Sequence, residues 1–221
     1  DTAGNLSSIA RALTLTVDAS IPDPRAVSLA DASDSGLSTT DDLTYVSTPT
    51  FTGSGGVISD TVLLFAGTTT IGSALVRTGG AWTVTGSSLN DGVHSIHTRF
   101  RDTAGNLSSI ARALTLTVDT SITDAPRAVD LENVSDSGLS TTDDLTYIST
   151  PTFTGSGGVI SDTVLLFAGT TTIGSALVRT GGAWTVTSSS LSNAVHSIHT
   201  RFRDTAGNLS SIARALTLTV D

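Results

Sequence analysis

Cysteine is absent from the 221 residues, so no disulfide framework, cysteine-ligated zinc site or thiol nucleophile is available. Lysine is absent too: all 11 basic residues are arginine, which rules out an isopeptide link between a lysine and an Asn or Asp. Glutamate is nearly absent, Glu132 being the single one among the 20 acidic residues. The formal charge of -9 argues against a nucleic-acid partner, because neutralising phosphates takes a basic face. It equally disfavours an anionic membrane surface. No apolar run reaches the roughly 20 residues of a spanning helix, so direct membrane insertion is not expected, and no secretion signal is visible. What is plentiful is aspartate. Short carboxylates on loops suit cations that take oxygen ligands, calcium above all.

The stretch DTAGNLSSIARALTLTVD occupies residues 1–18, recurs letter for letter at 102–119 and closes the sequence at 204–221. Residues 34–85 match residues 136–187 except for Val46 against Ile148. Fixed-period self-similarity of this kind is the first thing a fold assignment must accommodate. It divides the sequence into a repeat at 19–119, a second at 120–221, and at 1–18 the final strand of a preceding repeat. A repeat of about 100 residues is an ordinary size for a domain with its own core. The opening piece is a tail without its body and is expected to be part of a longer array. The other reading is that it is donated to another chain.

Proline and glycine punctuate each repeat into short segments rich in Thr, Val, Leu and Ile that alternate with period two and show no 3.6-residue period. The first repeat predicts strands over 26–29, 50–53, 61–66, 70–77, 81–85, 93–101 and 109–118. Seven short strands in a repeat of this size predict an all-β protein of tandem immunoglobulin-like β-sandwich domains. The glycines at Gly79 and Gly80 suit a tight hairpin, and Trp82 beyond them is expected to anchor the core. In the last strand Ile110, Leu114, Leu116 and Val118 are expected to share the inner face. A lone strand of this kind neither buries its apolar face nor satisfies its ladder hydrogen bonds, which is why residues 1–18 need a partner.

The ordered series SDSGLSTTDDLTYVSTPTFTG, TVLLFAGTTTIGSA, GGAWTVT, DGVHSIHTRFRDTAGNLS and LTLTVDTS resembles the bacterial Ig-like repeats of giant RTX-type and biofilm-associated adhesins, nearly end to end in each repeat. The resemblance implies an extracellular or cell-surface extender module, stacked in arrays that hold a terminal adhesive domain away from the cell, with calcium bound at or near the joints. Phe100, Leu63 and Phe65 are bulkier than the residues such repeats often carry there.

In a sandwich of this type the turn before the last strand, residues 102–106, lies at the N-terminal pole, and the loop after the first strand lies at the C-terminal pole, where the last strand leaves. That loop holds Asp31, Asp34, Asp41 and Asp42, and in the second repeat Asp136, Asp143 and Asp144. Asp119 and the C-terminal pole of one domain should therefore face Asp204 and Asn208 of the next, as Asp18 faces Asp102 and Asn106. Carboxylates so placed repel unless a cation lies between them. Asp18, Asp34, Asp41, Asp42, Asp102, Asn106, Asp119, Asp136, Asp143, Asp144, Asp204 and Asn208 are the candidate ligands of structural Ca2+. The plainer reading is that Asp-Thr-Ala-Gly-Asn is a turn, since Asp favours turns and Gly and Asn accept positive φ. Asn5, Asn106 and Asn208 also fit a glycosylation sequon.

His94 and His97 are three apart on a predicted strand and point to opposite faces, so they do not share a metal. No Ser, His and Asp arrangement and no phosphate cradle stands out, and an enzyme is not expected. The phase that the resemblance implies puts Val62 and Leu64 inside, so Leu63 and Phe65 should lie on the outer face beside Arg99 and Arg101. There the arginine stems cover a local apolar spot, or the face makes a homotypic lateral contact. The sequence thus points to a structural extender whose partners are neighbouring repeats of its own chain. Its rivals are a subunit of an extracellular filament or sheath assembled by lateral or donor-strand contacts, and a glycan-binding module for which only Tyr45 and Tyr147 offer aromatic platforms.

Overall fold

Alternating β-branched and aliphatic residues cannot bury one face as a helix, and each repeat resolves them into short strands. The computed structural model describes residues 2–4, 6, 11 and 13–221. The first repeat holds β1 (Ser28–Leu29), β2 (Leu43–Thr44), β3 (Thr50–Gly53), β4 (Thr61–Ala66), β5 (Thr69–Leu75), β6 (Trp82–Thr85), β7 (Gly92–Arg101) and β8 (Leu114–Val118). The second repeats the series as β9 (Asp130–Leu131), β10 (Leu145–Thr146), β11 (Thr152–Gly155), β12 (Thr163–Ala168), β13 (Thr171–Leu177), β14 (Trp184–Thr187), β15 (Ala194–Arg203) and β16 (Leu216–Val220). Each repeat pairs a three-stranded sheet, β1–β3–β6 or β9–β11–β14, with a five-stranded one, β2–β8–β7–β4–β5 or β10–β16–β15–β12–β13. This is the all-β sandwich that the period-two pattern predicts.

Between the sheets lies one core per repeat. Val62 and Leu64 of β4 and Ile96 and Phe100 of β7 are wholly buried and meet Phe51, Trp82 and Val84 from the other sheet. Burying each such side chain contributes about 1.5–3 kcal/mol. Trp82 fits because Gly53, its cross-strand partner, has no side chain: a Cβ there would fall on the indole ring. Gly155 makes the same room for Trp184.

Three local expectations are corrected. The glycine turn at Thr78–Gly80 is not a hairpin, because β5 and β6 belong to different sheets; Gly79 and Gly80, both at positive φ, instead carry the chain across the sandwich. The last strand is shorter and its phase breaks. The Ala111 amide donates to Thr98 O while Leu114 pairs with Ile96, so three steps on one strand face two on the other, as in a β-bulge. Ala111 is therefore buried and Ile110 exposed. Finally, β2 runs parallel to β8 for two residues inside a loop whose Ser, Thr and Asp residues give no strand signal. Of the strand expected over 1–18, residues 1, 5, 7–10 and 12 lie outside the described residues; residues 13–18 form no strand, and Leu13, Leu15 and Val17 stand exposed.

Candidate functional site: the joint between repeats

The loop between β1 and β3 is organised by one hydroxyl. Ser35 Oγ accepts the Tyr45 amide at 2.8 Å and lies 3.2 Å from Thr44 Oγ1, tying the loop to β2. Ser137 does the same for Tyr147 and Thr146. This fold of the loop gathers Asp34, Asp41 and Asp42. Asp34 is 5% exposed, and its Oδ1 finds no hydrogen-bond donor among the described residues. Burial, followed by the charges of Asp41 and Asp42, raises its pKa above the ordinary aspartate value. Asp42, at φ 57, is also raised, by burial and then by Asp41. In the second repeat Asp136 is 4% exposed with Oδ1 likewise unpaired, and Asp144 is raised by burial and the charges of Asp136, Asp130 and Asp143.

At the opposite pole the Asp-Thr-Ala-Gly-Asn turn closes on itself. Asp204 Oδ1 accepts the amides of Gly207 and Asn208 at 2.7 and 2.8 Å, and its Oδ2 accepts Asn208 Nδ2 at 2.8 Å. Asp102 holds Asn106 in the same way, and the Asn106 side chain, ahead of the turn amides, holds the Asp102 carboxyl below its usual pKa. The aspartate and asparagine of each turn are thus turn-formers in fact.

The two poles meet. Asn208 Nδ2 also donates to Asp119 O at 2.9 Å, and Ser35 Oγ donates to Ala206 O at 2.8 Å across the joint. Asn106 reaches Asp18 O at 2.9 Å in the same manner. Beside the joint is a cavity of about 260 Å³ whose lining includes Asp119, Asp124, Asp162 and Asp204. Asp162 is raised by burial and by the charges of Asp204 and Asp124, although its Oδ2 accepts the Val159 amide at 3.0 Å. Asp124 and Asp162 escape a reading of the sequence because each lies in a loop, in TDAP and VISD, with no motif around it. Asp41 and Asp42 do not line this cavity; they stay with Asp34. Aspartates therefore collect in two places, the cavity at the N-terminal pole and the loop at the C-terminal pole.

The donors are hard oxygens of the kind calcium takes, and the unpaired buried oxygen of Asp34 is a vacant acceptor among negative charges. Among the described residues no three carboxylate or imidazole groups are already converged as a cage.

On the outer sheet face Leu63 pairs with Arg99 and Phe65 with His97. Phe65 and His97 stack at 5.2 Å, and burial, then the Arg99 charge, lowers the His97 pKa. Leu63 and Phe65 are half-buried under these neighbours, while Arg101 is exposed. His94 Nε2 lies 2.8 Å from Asn90 O. Tyr45 packs at the joint over Gly207. Among the described residues no helix is long and apolar enough to cross a membrane.

A family model of the bacterial Ig-like domain matches residues 20–120 and again residues 123–221. No curated protein matches the sequence. Among solved structures, the fibronectin(III)-like modules of Clostridium thermocellum CbhA are 14% identical, with 89% of this chain and 94% of that one covered and a TM-score of 0.50. The BSP domain of a biofilm associated protein is 16% identical over 80% of this chain with a TM-score of 0.31, and this chain spans 28% of its length. A C-terminal intimin fragment, solved in complex with the intimin-binding domain of the translocated intimin receptor, is 14% identical over 92% of this chain and 65% of its own, with a TM-score of 0.39. At 14% identity the likeness to the fibronectin(III)-like modules is one of fold alone.

Proposed function

Because the chain belongs to the bacterial Ig-like domain family, in two consecutive copies, we propose that it is a structural extender of a secreted or cell-surface adhesin of the RTX or biofilm-associated kind. Its work is mechanical: it sets the distance and stiffness between a cell and a terminal binding domain. The observation that carries this reading is the direct seating of the second repeat's turn on the first repeat's loop, Ser35 Oγ to Ala206 O, which makes a defined joint out of what would otherwise be a free linker. Domains joined by a bare linker move independently by default.

Calcium is the second half of the proposal. Asp34, Asp41 and Asp42 with their counterparts Asp136, Asp143 and Asp144 would hold it at the C-terminal pole, and Asp119, Asp124, Asp162 and Asp204 at the joint cavity. Bound there, the ion supplies positive charge beside Asp34, Asp42, Asp144 and Asp162, whose pKa values burial, and then neighbouring carboxylates, raise. Extracellular calcium modules have dissociation constants of roughly 0.1–1 mM, and free calcium at a hundred times that constant stabilises by about 2.7 kcal/mol per site. The test is small-angle scattering and calorimetry of the whole chain with calcium and with chelator, alongside Asp162→Asn and Asp34→Asn. Chelation is expected to lower the melting temperature and broaden the inter-repeat distances, and each substitution to weaken the response. Indifference of both observables to chelation would remove calcium from the account and leave the aspartates as turn and loop formers.

A further inference from the structure

The two repeats carry the same loop, DSGLSTTDDLTY, at residues 34–45 and 136–147, yet it adopts two conformations. Gly36 lies at φ +108, in the region that only glycine enters at low cost, whereas Gly138 lies outside that region. Within the loop the residues are identical, the differences being upstream, Ala30-Asp31-Ala32 against Glu132-Asn133-Val134; what differs at the glycine itself is occupancy. Against Gly36 sits the turn of the second repeat: Ser35 Oγ donates to Ala206 O and the Leu37 amide donates to Thr205 O at 3.4 Å. A Cβ on Gly36 would run into Thr205 O, and one on Gly207 would lie 3.0 Å from Gly36 Cα and 3.1 Å from Tyr45 Cδ1. The fit is backbone against backbone. Around Gly138 nothing lies within 4 Å of a Cβ position, and Tyr147 is 75% exposed where Tyr45 is 47% exposed.

The turns show the complementary difference. Ala206 is 1% exposed, while Ala104, its counterpart in the first repeat, is exposed. The bond from the turn asparagine to the linker carbonyl is present in both, Asn208 to Asp119 O and Asn106 to Asp18 O, so it does not distinguish them. What distinguishes them is seating in the loop.

We propose that the Ser-Gly-Leu segment at the C-terminal pole of each repeat is a socket for one kind of partner, a following Ig-like repeat that presents an Asp-Thr-Ala-Gly-Asn turn, and that its glycine changes backbone conformation when the turn is seated. The socket is filled at Ser35–Leu37 and open at Ser137–Leu139. Selectivity follows from the lack of space. A follower with a side chain larger than alanine at the position of Ala206 meets a pocket with no room for it, and one with a Cβ at Gly207 crowds Gly36 and Tyr45 and strains a backbone at φ +102, so selectivity comes from crowding rather than from loss of attraction. The same residues at Ser137–Leu139 would accept such a turn from any following repeat that carries it. The energy for moving the glycine comes from the two hydrogen bonds and the burial of Ala206, a differential interaction of the sort a population shift requires. This device concerns the geometry of the joint and depends on neither calcium nor the extender role.

Near-identical repeats supply the control. In the whole chain, Ala206→Leu and Gly36→Ala act on the joint, while Ala104→Leu and Gly138→Ala make the same chemical changes at unoccupied positions. Small-angle scattering and limited proteolysis of the segment between the repeats, each run in calcium and in chelator, are expected to show a broadened inter-repeat distance distribution and faster cleavage for the first pair in both media. The second pair should match the unaltered chain. Equal behaviour of the two pairs, or an inter-repeat distance unchanged by Ala206→Leu, overturns the socket. An effect of Ala206→Leu that persists in chelator upholds it whether or not calcium binds.

Discussion

At the residue scale the unpaired oxygen of Asp34 sets a charge against the fold. Asp34, Asp42, Asp144 and Asp162 all bind a proton more tightly in the folded chain than an ordinary aspartate does. Each therefore gains folding stability as pH falls from above its raised pKa toward the ordinary value of 3.8, and below 3.8 the gain is complete. Asp102 runs the other way: its depressed pKa contributes stability above 3.8 that is lost as pH falls further. His97, held neutral by burial and Arg99, loses stability below its ordinary 6.5 and complicates any raw pH profile. A difference measurement isolates Asp34. In chelator, Asp34→Asn should melt higher than the unaltered chain near neutrality, and the gap should close as pH approaches 3.8. A gap that is absent at pH 7 or independent of pH would show that the Asp34 charge carries no penalty.

At the element scale β4 and β7 divide their residues between core and surface with strict period two. Val62 and Leu64 are wholly buried, so the phase that places Leu63 and Phe65 on the outer face is the observed one. Phe65 there stacks on His97, and the arginine stem of Arg99 lies beside Leu63 in register. Leu63→Ser with Phe65→Ser should leave the first repeat folded, at a cost of about 1 kcal/mol for the lost aromatic pair. If the outer face also joins molecules laterally, sedimentation will show self-association of the unaltered chain that the double variant lacks. A monomeric unaltered chain at all concentrations would assign these residues to local covering alone.

At the scale of the whole molecule, the two cores share no residue, each being closed by its own tryptophan over its own glycine. Damage to one should therefore remain there. Gly155→Ala places a Cβ on the Trp184 ring and should cost the second repeat about 1–3 kcal/mol. For a domain of this size that is a fall of roughly 4–8 °C for each kcal/mol. Calorimetry should split into two transitions, the upper one unmoved and the lower one displaced. A single transition that shifts as a whole would mean that the joint couples the repeats into one cooperative unit. The joint hydrogen bonds are few, each worth about 1 kcal/mol net, which is why separation is the expected result.

The residues alone determined the all-β sandwich, the repeat period and the burial of Trp82, because a two-residue period and a large apolar side chain are local signals that packing rarely overrides; the phase of β4, whose residues 62–65 are apolar on both faces, came from the family resemblance. They also placed Asp119 opposite Asp204 and Asn208, since the poles of a sandwich follow from chain direction. The bulge that turns Ile110 outward, the two-residue strand at Leu43–Thr44 and the convergence of Asp124 and Asp162 were decided only by the tertiary structure: each depends on which distant backbone a loop meets. The plainest case is Gly36 and Gly138, one sequence in two conformations, for which the deciding contact is made by residues about 170 positions further along the chain. Local sequence sets what a loop is able to do, and the neighbour that fills the space sets which of those states it takes.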